Sequence, residues 1–281
     1  MTRLIAILCF LALPVSASAT IWVTSGNGDS NLYEVDDTGA TIGTIGDTGE
    51  FFTGLAYDRN RGLLVGTTSP NSATPSSVFE INPDTGAATL VGAHGVDQAV
   101  IDLTFAEDGT LYGWLEPGSD DLVTIDLGTG AATVLGNGPS SGGRTIEFVP
   151  SGEVALFNLS LATLLDPVTG LATGDTIALS GSGSINASFR TSTGLVYAIG
   201  AQGGQGGLRT LNTIDFETGV VTELGEISVL NASGLASDLF DPTQNPDDPT
   251  FAAASIPAVP LFGLLALGGL LALLGLGRLK F

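Results

Sequence analysis

The sequence has few of the residues on which enzymes commonly base their chemistry. Its 281 residues include one cysteine, one histidine and one methionine. Cys9 lies in the apolar stretch at the N-terminus, so disulfides, thiolate metal sites and cysteine nucleophiles are excluded beyond it. The only lysine is Lys280, next to the C-terminus, which excludes Schiff-base chemistry on a lysine in the remainder of the chain.

The single histidine, His94, follows one of the repeats described below, in the stretch Gly-Ala-His-Gly. No second histidine is available to share a metal ion, and nothing frames a serine nucleophile in a sharp elbow. The sequence therefore favours a solvated loop histidine over a catalytic one. The glycine-rich segment 200–207 lacks the lysine and the strand-loop-helix setting of a phosphate-binding loop, and we interpret it as a connection between strands.

Basic side chains are also scarce. Between the two apolar ends of the chain lie 29 acidic residues and five arginines, which leaves 24 net negative charges. A field of this sign disfavours nucleic acid and anionic membrane surfaces as partners. Calcium is a possible ligand, because hard cations prefer carboxylate and carbonyl oxygens. Solubility or a saline habitat would explain the charge equally well, and no other cofactor is indicated.

The first nineteen residues read as a Sec-type signal peptide. Arg3 is followed by the apolar run 4–13 and by the small residues Ala17, Ser18 and Ala19, which form the expected cleavage site. The apolar run is too short for a membrane-spanning helix. We therefore expect the folded domain to occupy residues 20–240, starting at Thr20.

The C-terminal end predicts a linker and a membrane segment. The stretch "DPTQNPDDPT", residues 241–250, is polar and rich in proline, so residues 241–255 are expected to form an extended linker. Residues 256–281 carry no charge before Arg278 and Lys280 and are long enough to cross a bilayer. Arg278 and Lys280 should remain in the cytoplasm, which places the domain outside the inner membrane.

A repeat runs through the domain between these ends. Five similar stretches such as "INPDTGAATLVG" share a Thr-Gly pair, and the successive glycines are 40 to 49 residues apart. These glycines are Gly39, Gly86, Gly130, Gly170 and Gly219. Each stretch predicts a β-hairpin, because alternating apolar residues lead into a polar turn where glycine accepts a positive φ.

A second hairpin lies between successive copies. It begins at Gly54, Asp102, Thr145 and Asn186, whereas the copy at Asn231 is incomplete. The missing partner strand, residues 20–26, stands at the other end of the domain. Two hairpins make four strands, and the spacing matches one propeller blade. We therefore predict an all-β, five-bladed β-propeller closed by an N-terminal strand, with a β-sandwich or an open repeat array as alternatives.

The innermost strands carry the candidate site. Aligning them puts small residues at most positions of one strand face, with one carboxylate. The aligned residues are Ala56, Thr104, Glu147, Ser188 and Gly234, and the positions before them, near one channel mouth, are Gly54, Asp102, Thr145, Asn186 and Ala232. Glu147 and Asp102 could bind calcium or act as the acid–base pair of a glycosidase. Alternatively, Glu147 pairs with Arg144 or points into water.

The C-terminal segment resembles the PEP-CTERM class of sorting signals, in an IPTL- or VPLPA-like variant. The resemblance rests on Ile256, Pro257, Ala258, Val259 and Pro260, the apolar helix, and the terminal Arg278 and Lys280. It implies recognition by a sorting transpeptidase of the exosortase type, removal of the helix and delivery to the cell surface, in a setting of extracellular polysaccharide. A plain C-terminal membrane anchor is the alternative.

The repeats also resemble the uncharacterised propeller repeats of many exported bacterial proteins, a resemblance that implies the fold and little about activity. Three functions remain open on these grounds. The first is a non-enzymatic, surface-directed propeller that binds a glycan, a matrix polymer or a protein. The second is a metal-assisted carbohydrate hydrolase or lyase that uses Asp102 and Glu147, and the third is a passive component of the matrix.

Overall fold

The computed structural model describes residues 20–116, 120–138, 144–158, 160–180, 184–191, 195–201 and 208–238, without the side chains of 137, 184–190 and 201. All of these residues belong to one compact unit, Met1–Phe240. The predicted signal peptide with Ala17 and Ala19, the linker, and the sorting segment with Ile256–Pro260, Arg278 and Lys280 lie outside the described residues. Their assignments therefore stay predictions. Within the described ranges no helix is long and apolar enough to span a membrane.

The described chain consists of short strands, each paired antiparallel to its neighbours. In chain order they are β1 (Ile21–Ser25), β2 (Asn31–Val35), β3 (Thr41–Asp47), β4 (Phe52–Asp58), β5 (Leu63–Thr68), β6 (Ser77–Ile81), β7 (Ala88–Ala93), β8 (Ala99–Phe105), β9 (Leu111–Glu116), β10 (Asp121–Ile125), β11 (Ala132–Asn137), β12 (Thr145–Phe148), β13 (Val154–Phe157), β14 (Leu161–Leu165), β15 (Ala172–Ala178), β16 (Ser184–Arg190), β17 (Val196–Ala201), β18 (Arg209–Ile214), β19 (Val221–Ile227) and β20 (Ala232–Ser237).

These strands form five four-stranded sheets, which confirms the predicted five-bladed propeller. Blade 1 has the order β20-β1-β2-β3, and blades 2 to 5 are β4–β7, β8–β11, β12–β15 and β16–β19, each with its first strand innermost. The innermost strands contact one another in a closed ring, in the order β20, β4, β8, β12, β16 and back to β20. This ring excludes the open array. We call the end at which the innermost strands begin the upper end, and the end that holds the Thr-Gly turns the lower end.

Closure of the ring joins the two ends of the domain. The predicted N-terminal strand β1 pairs with β20, with Ile21 opposite Ser237 and Val23 opposite Leu235. The N-terminal contribution is larger than one strand, since β2 and β3 belong to the same sheet. The backbone N–H of Thr20 also donates to Oδ1 of Asp238 at 2.7 Å. Blade 1 is therefore held together by hydrogen bonds between residues more than 200 positions apart.

Each Thr-Gly turn reverses the chain and contacts the neighbouring blade. Gly39, Gly86, Gly130, Gly170 and Gly219 all have φ between 70° and 88°, as the turn requires. The turns also press against the outer strand of the preceding blade. A Cβ on Gly92 of β7 would overlap the carbonyl oxygen of Thr129 in the next Thr-Gly turn, and Gly46, Gly136 and Gly225 meet their neighbouring turns in the same way. Glycine is thus required at the last position of these repeats, because the outer strand of one blade and the Thr-Gly turn of the next come close together there.

The core lies between adjacent sheets. For example, Tyr112 and Trp114 of blade 3 pack with Ile146 and Leu156 of blade 4, and Trp114 is fully buried. Consecutive residues of the inner strands β8 and β12 are buried, and since successive side chains point to opposite faces, both faces of these strands pack against other residues. Phe148, one of the aromatic residues predicted to pack between blades, stacks on Tyr112 of blade 3 at 6.2 Å between ring centroids.

The register of two inner strands differs from the sequence alignment. Gly234 stands opposite Thr24 as Gly54 stands opposite Thr67, so β20 was aligned two residues out. In β16, Arg190 stands opposite Val196 as Phe105 stands opposite Leu111, a shift of one residue. The positions equivalent to Ala56, Thr104 and Glu147 are therefore occupied by Phe189 in β16 and by Ala236 in β20. The prediction that Ser188 and Gly234 occupy these positions was wrong. Asn-Ala-Ser occurs in both copies, at 186–188 and 231–233, but these residues occupy different register positions in β16 and β20, and a shift of one residue moves a side chain to the other face of the strand.

Candidate functional site

Asp102 lies between blades 3 and 4, in the upper half of β8. Its side chain is fully buried, at 0% exposure. The hydroxyl of Thr145 and the backbone N–H of Ile146, both in β12, donate to its Oδ2 atom, the second at 3.0 Å. Its other oxygen, Oδ1, is buried and has no hydrogen-bond partner among the described residues. The carboxyl group is therefore bound on one side to the neighbouring blade and unsatisfied on the other.

Glu147 makes the reciprocal connection. It belongs to β12 and is 6% exposed, and the hydroxyl of Thr104 in β8 donates to its Oε1 at 3.0 Å. Thr104 in turn accepts the backbone N–H of Phe148 at 3.1 Å. Each of the two inner strands thus has a carboxylate that accepts a hydrogen bond from a threonine of the other strand. We call this group of four side chains, Asp102, Thr104, Thr145 and Glu147, the inter-blade clasp.

The electrostatics of the clasp favour a neutral Asp102. Burial raises its pKa well above the ordinary value, and the negative charge of Glu147 raises it further, although the bonds from Thr145 and Ile146 act in the opposite direction. A carboxyl group with a raised pKa can serve as an acid in catalysis. Here, however, it is sealed between two sheets and engaged with the next blade.

Arg144 forms an ion pair with a residue other than Glu147. Arg144 directs its Nε to Oε2 of Glu116 at 3.4 Å rather than forming the expected ion pair with Glu147. Among the described residues, no three His, Cys, Asp or Glu side chains are grouped so that they could hold a metal ion. Calcium binding and a catalytic role for the pair stay predictions, and what the structure does bring together is the clasp.

His94 is not the solvated loop residue that its sequence setting suggested. It is 1% exposed, its Nδ1 accepts the backbone N–H of Val96 at 3.4 Å, and its Nε2 has no partner among the described residues. Burial lowers the pKa of its imidazole. Its carbonyl oxygen accepts the N–H of Ala132 at 2.8 Å, which links blade 2 to blade 3. His94 is a structural residue, buried because the neighbouring blade covers its loop.

An aspartate or asparagine two or three residues before each Thr-Gly pair organises the turn through hydrogen bonds. The carboxylate of Asp166 accepts the backbone N–H groups of Val168 and Thr169, at 2.9 and 2.8 Å. Equivalent turns are organised by Asp36, Asn82, Asp126 and Asp215. Hydrogen bonds from the turn lower the pKa of Asp166 and of the other three aspartates. These carboxylates belong to Asx turns, which agrees with the turn-forming role expected of Asp and Asn before the glycine.

Three side chains that sequence reasoning did not single out as a group lie at the upper end. Glu116 ends β9, Arg144 directly precedes β12, and Arg209 begins β18. Arg144 is about half exposed, at 53%, whereas the carboxylate of Glu116 is 15% exposed. Burial lowers the pKa of Arg209, and the positive charge of Arg144 lowers it further. Two of the five arginines of the domain are thus electrostatically coupled at one end of the ring.

Comparisons with known proteins identify the fold and nothing more specific. No family model matches the chain, and no curated protein matches it. A protein of unknown function from Bacteroides caccae is similar in structure, with a TM-score of 0.53 and 14% identity over 79% of this chain and 99% of that one. A second such protein, from Bacteroides thetaiotaomicron, has a TM-score of 0.49 and 14% identity over 74% of this chain and 58% of that one. TolB from Acinetobacter baumannii has a TM-score of 0.44 and 14% identity over 76% of this chain and 54% of that one.

Proposed function

We propose that this protein is an exported, non-enzymatic propeller that binds a glycan of the extracellular matrix through its upper end. The observation that supports this proposal best is the inter-blade clasp. Its two carboxylates, the strongest candidates for catalysis in the sequence, hydrogen-bond to threonines of the neighbouring blade. Their role in holding the blades together leaves recognition to the loops, which a rigid scaffold positions.

The upper end suits recognition better than the lower end. Loops of differing length lie there, such as residues 69–76 between β5 and β6 of one blade and residues 94–98 between β7 and β8 of successive blades. Some of these loops are fixed by buried side chains. Glu50, for example, accepts hydrogen bonds from the hydroxyl of Ser72 and from the backbone N–H of Thr74, the latter at 3.0 Å. The lower end carries five near-identical Thr-Gly turns, which pack against their neighbours.

The route to the cell surface belongs to the same proposal. A signal peptide ending at Ala19 would start export, and an exosortase-type transpeptidase would recognise the motif at residues 256–260 and remove the helix that follows. Mass spectrometry of the protein recovered from cells tests this route. We expect a first residue of Thr20 and loss of the segment after residues 255–260. An intact C-terminus would instead indicate a simple inner-membrane anchor.

Binding and catalysis are separated by one experiment on the processed protein. It is presented to an array of bacterial exopolysaccharides, and binding and the release of reducing ends are both measured, for the native protein and for Glu147→Gln. We expect binding by both proteins and hydrolysis by neither, since an amide at 147 can still accept the hydrogen bond from Thr104. Release of reducing ends that Glu147→Gln abolishes would contradict the proposal and support the hydrolase. An absence of binding to every glycan would also contradict it.

A further inference from the structure

The sequence contains two Asn-Gly pairs, Asn27-Gly28 and Asn137-Gly138, and each stands in the same local sequence, Gly-Asn-Gly. In such a pair the backbone nitrogen of the glycine can attack the asparagine side chain, because glycine has no Cβ to hinder the approach and its backbone adopts many conformations. The attack requires that the glycine nitrogen is free to move and to lose its proton. The surroundings of the two glycines therefore decide which asparagine reacts.

The first pair is open to attack. Asn27 and Gly28 lie in the loop between β1 and β2, at the upper end of blade 1, and both are exposed. The backbone N–H of Gly28 makes no hydrogen bond to another described residue, and neither does the side-chain amide of Asn27. The φ of Gly28 is 124°, which glycine adopts without steric cost. The two groups that must react are thus accessible to water and free of partners in the described chain.

The second pair is protected at its glycine. Gly138 is buried directly after β11, and its backbone N–H donates to the carbonyl oxygen of Asp120 at 3.0 Å. A Cβ on Gly138 would lie 2.5 Å from the ring of Trp114, so neighbouring atoms leave the backbone little room to rotate. Breaking the bond to Asp120 inside this packing costs free energy, because the N–H is left without a partner. The fold therefore shields Asn137 from the reaction that Asn27 can undergo.

We propose that Asn27 is a site of spontaneous deamidation. The backbone nitrogen of Gly28 loses its proton and forms a bond to Cγ of Asn27, while the bond between Cγ and Nδ2 breaks and ammonia leaves. Water then opens the resulting cyclic imide at either of its carbonyl groups. One product is aspartate, and the other is isoaspartate, in which the main chain runs through the former side chain. Either product adds a negative charge to the upper end.

The modified loop takes part in closing the ring. The carbonyl oxygen of Asn27 accepts the side-chain N–H of Asn231 at 2.7 Å, and the backbone N–H of Gly26 donates to the carbonyl oxygen of Asn231 at 3.1 Å. Asn231 directly precedes β20, the strand that completes blade 1. In isoaspartate the main-chain carbonyl of residue 27 becomes a free carboxylate and the backbone is longer by an atom. Isoaspartate at 27 therefore weakens the closure of the ring, whatever ligand the upper end binds.

The test follows both asparagines in the same protein, purified from cells and incubated in mildly alkaline buffer. Peptide mapping by mass spectrometry, with fragmentation that distinguishes isoaspartate from aspartate, gives the conversion of each over time. We expect Asn27 to convert to a mixture of the two products, and Asn137 to convert about ten-fold more slowly, because a buried hydrogen bond holds the nitrogen of Gly138. In urea, which removes the fold, the two should convert at similar rates, since their neighbours in the sequence are the same.

Asn27→Gln is the matched variant, because glutamine keeps the main-chain carbonyl and cyclises far more slowly. Aged native protein should melt at a lower temperature as its isoaspartate content rises, whereas aged Asn27→Gln should melt like fresh Asn27→Gln. An Asn27 that stays intact in the folded protein and converts in urea overturns the inference. Equal conversion of the two asparagines in the folded protein overturns it as well. Conversion of Asn27 without a change in melting temperature would confirm the modification site and contradict its effect on ring closure.

Discussion

Asp102 shows how one residue can be essential to the scaffold and yet limit its stability. Two donors satisfy its Oδ2 atom, while Oδ1 is buried without a partner among the described residues. An unsatisfied polar atom in a dry interface is costly, and an ionised one costs more. The raised pKa follows from that cost, because burial disfavours the charged form of the carboxyl group.

Replacing Asp102 with asparagine should therefore remove a pH dependence. In the native protein the folded state holds the proton of Asp102 to a higher pH than the unfolded state does. The contribution of Asp102 to the free energy of unfolding should accordingly be fully present below about pH 4, its pKa in the unfolded chain. It should decline as the pH rises towards its pKa in the folded state, by about 1.4 kcal/mol in total for each unit by which the two pKa values differ. Asp102→Asn should lack this decline, because its amide is neutral and still accepts the bonds from β12.

Urea unfolding of the two proteins between pH 4 and pH 8 provides the measurement. The groups that act on Asp102 are the hydroxyl of Thr145, the backbone N–H groups of Ile146 and Leu103, and the charge of Glu147. Glu147 is the only charged one among them, so Glu147→Gln is the proper companion variant. It should reduce the decline without abolishing it. Parallel curves for the native protein and Asp102→Asn would show that Asp102 is ionised in the fold and that the account of the clasp is wrong.

Sequence reasoning at this scale identified the unusual residues but not their partners. Glu147 and Asp102 stood out because carboxylates interrupt small and apolar positions in the inner strands. Their partners lie 43 residues away on the neighbouring blade, and one residue of register decides whether a threonine or an apolar side chain meets them. His94 was misjudged for a related reason, since a sequence does not show which loop the next blade covers.

At the scale of the hairpin, the last glycine of the repeat carries the packing between blades. The Thr-Gly turn was predicted correctly from its chemistry, but the recurring "LVG" and "VLG" endings were not recognised as contacts. A Cβ on Gly92 would overlap the carbonyl oxygen of Thr129 and come 3.1 Å from its carbonyl carbon. Backbone atoms cannot rotate away as a side chain can, so the two blades would have to separate.

Gly92→Ala should destabilise the protein by about 1–3 kcal/mol, the usual cost of overpacking. Gly43→Ala is the matched control, because Gly43 also lies in an outer strand and a Cβ there would meet nothing within 4 Å. That change should be neutral or stabilise the protein by up to about 1 kcal/mol, through a loss of freedom in the unfolded chain. Thermal unfolding of both variants measures the difference. Equal stabilities would mean that the outer strand and the Thr-Gly turn are free to move apart.

The fold of the whole molecule could be predicted because the number of repeats in the sequence equals the number of blades. Five Thr-Gly pairs, four complete inner hairpins and one split hairpin led to the observed ring. The alignment failed in β16 and β20, where similar residues stand at different register positions. The upper-end arginines were not predicted as a group, because Arg144 and Arg209 belong to different blades and lie 65 residues apart in the sequence.

Closure by β20 should be required for the ring to fold. A chain that stops after Asp238 retains β20 and loses residues 239–240 with the predicted linker and sorting segment, whereas a chain that stops after Leu230 loses β20 itself. The shorter chain exposes the edge of β1 and removes Leu235 and Ala236, which are buried in two different clusters of the core. It also breaks the inner ring between β16 and β4, because each of these strands loses its contact with β20.

We expect the chain that ends at Asp238 to unfold in one cooperative transition. The chain that ends at Leu230 should aggregate or show no such transition, because an unpaired inner strand is an open edge and the blades on either side lose their packing. Circular dichroism melts and size-exclusion chromatography of the two chains make the comparison. Similar melting of both would mean that the remaining strands are stable as an open arc, and that pairing of the two ends of the domain is not what holds the propeller together.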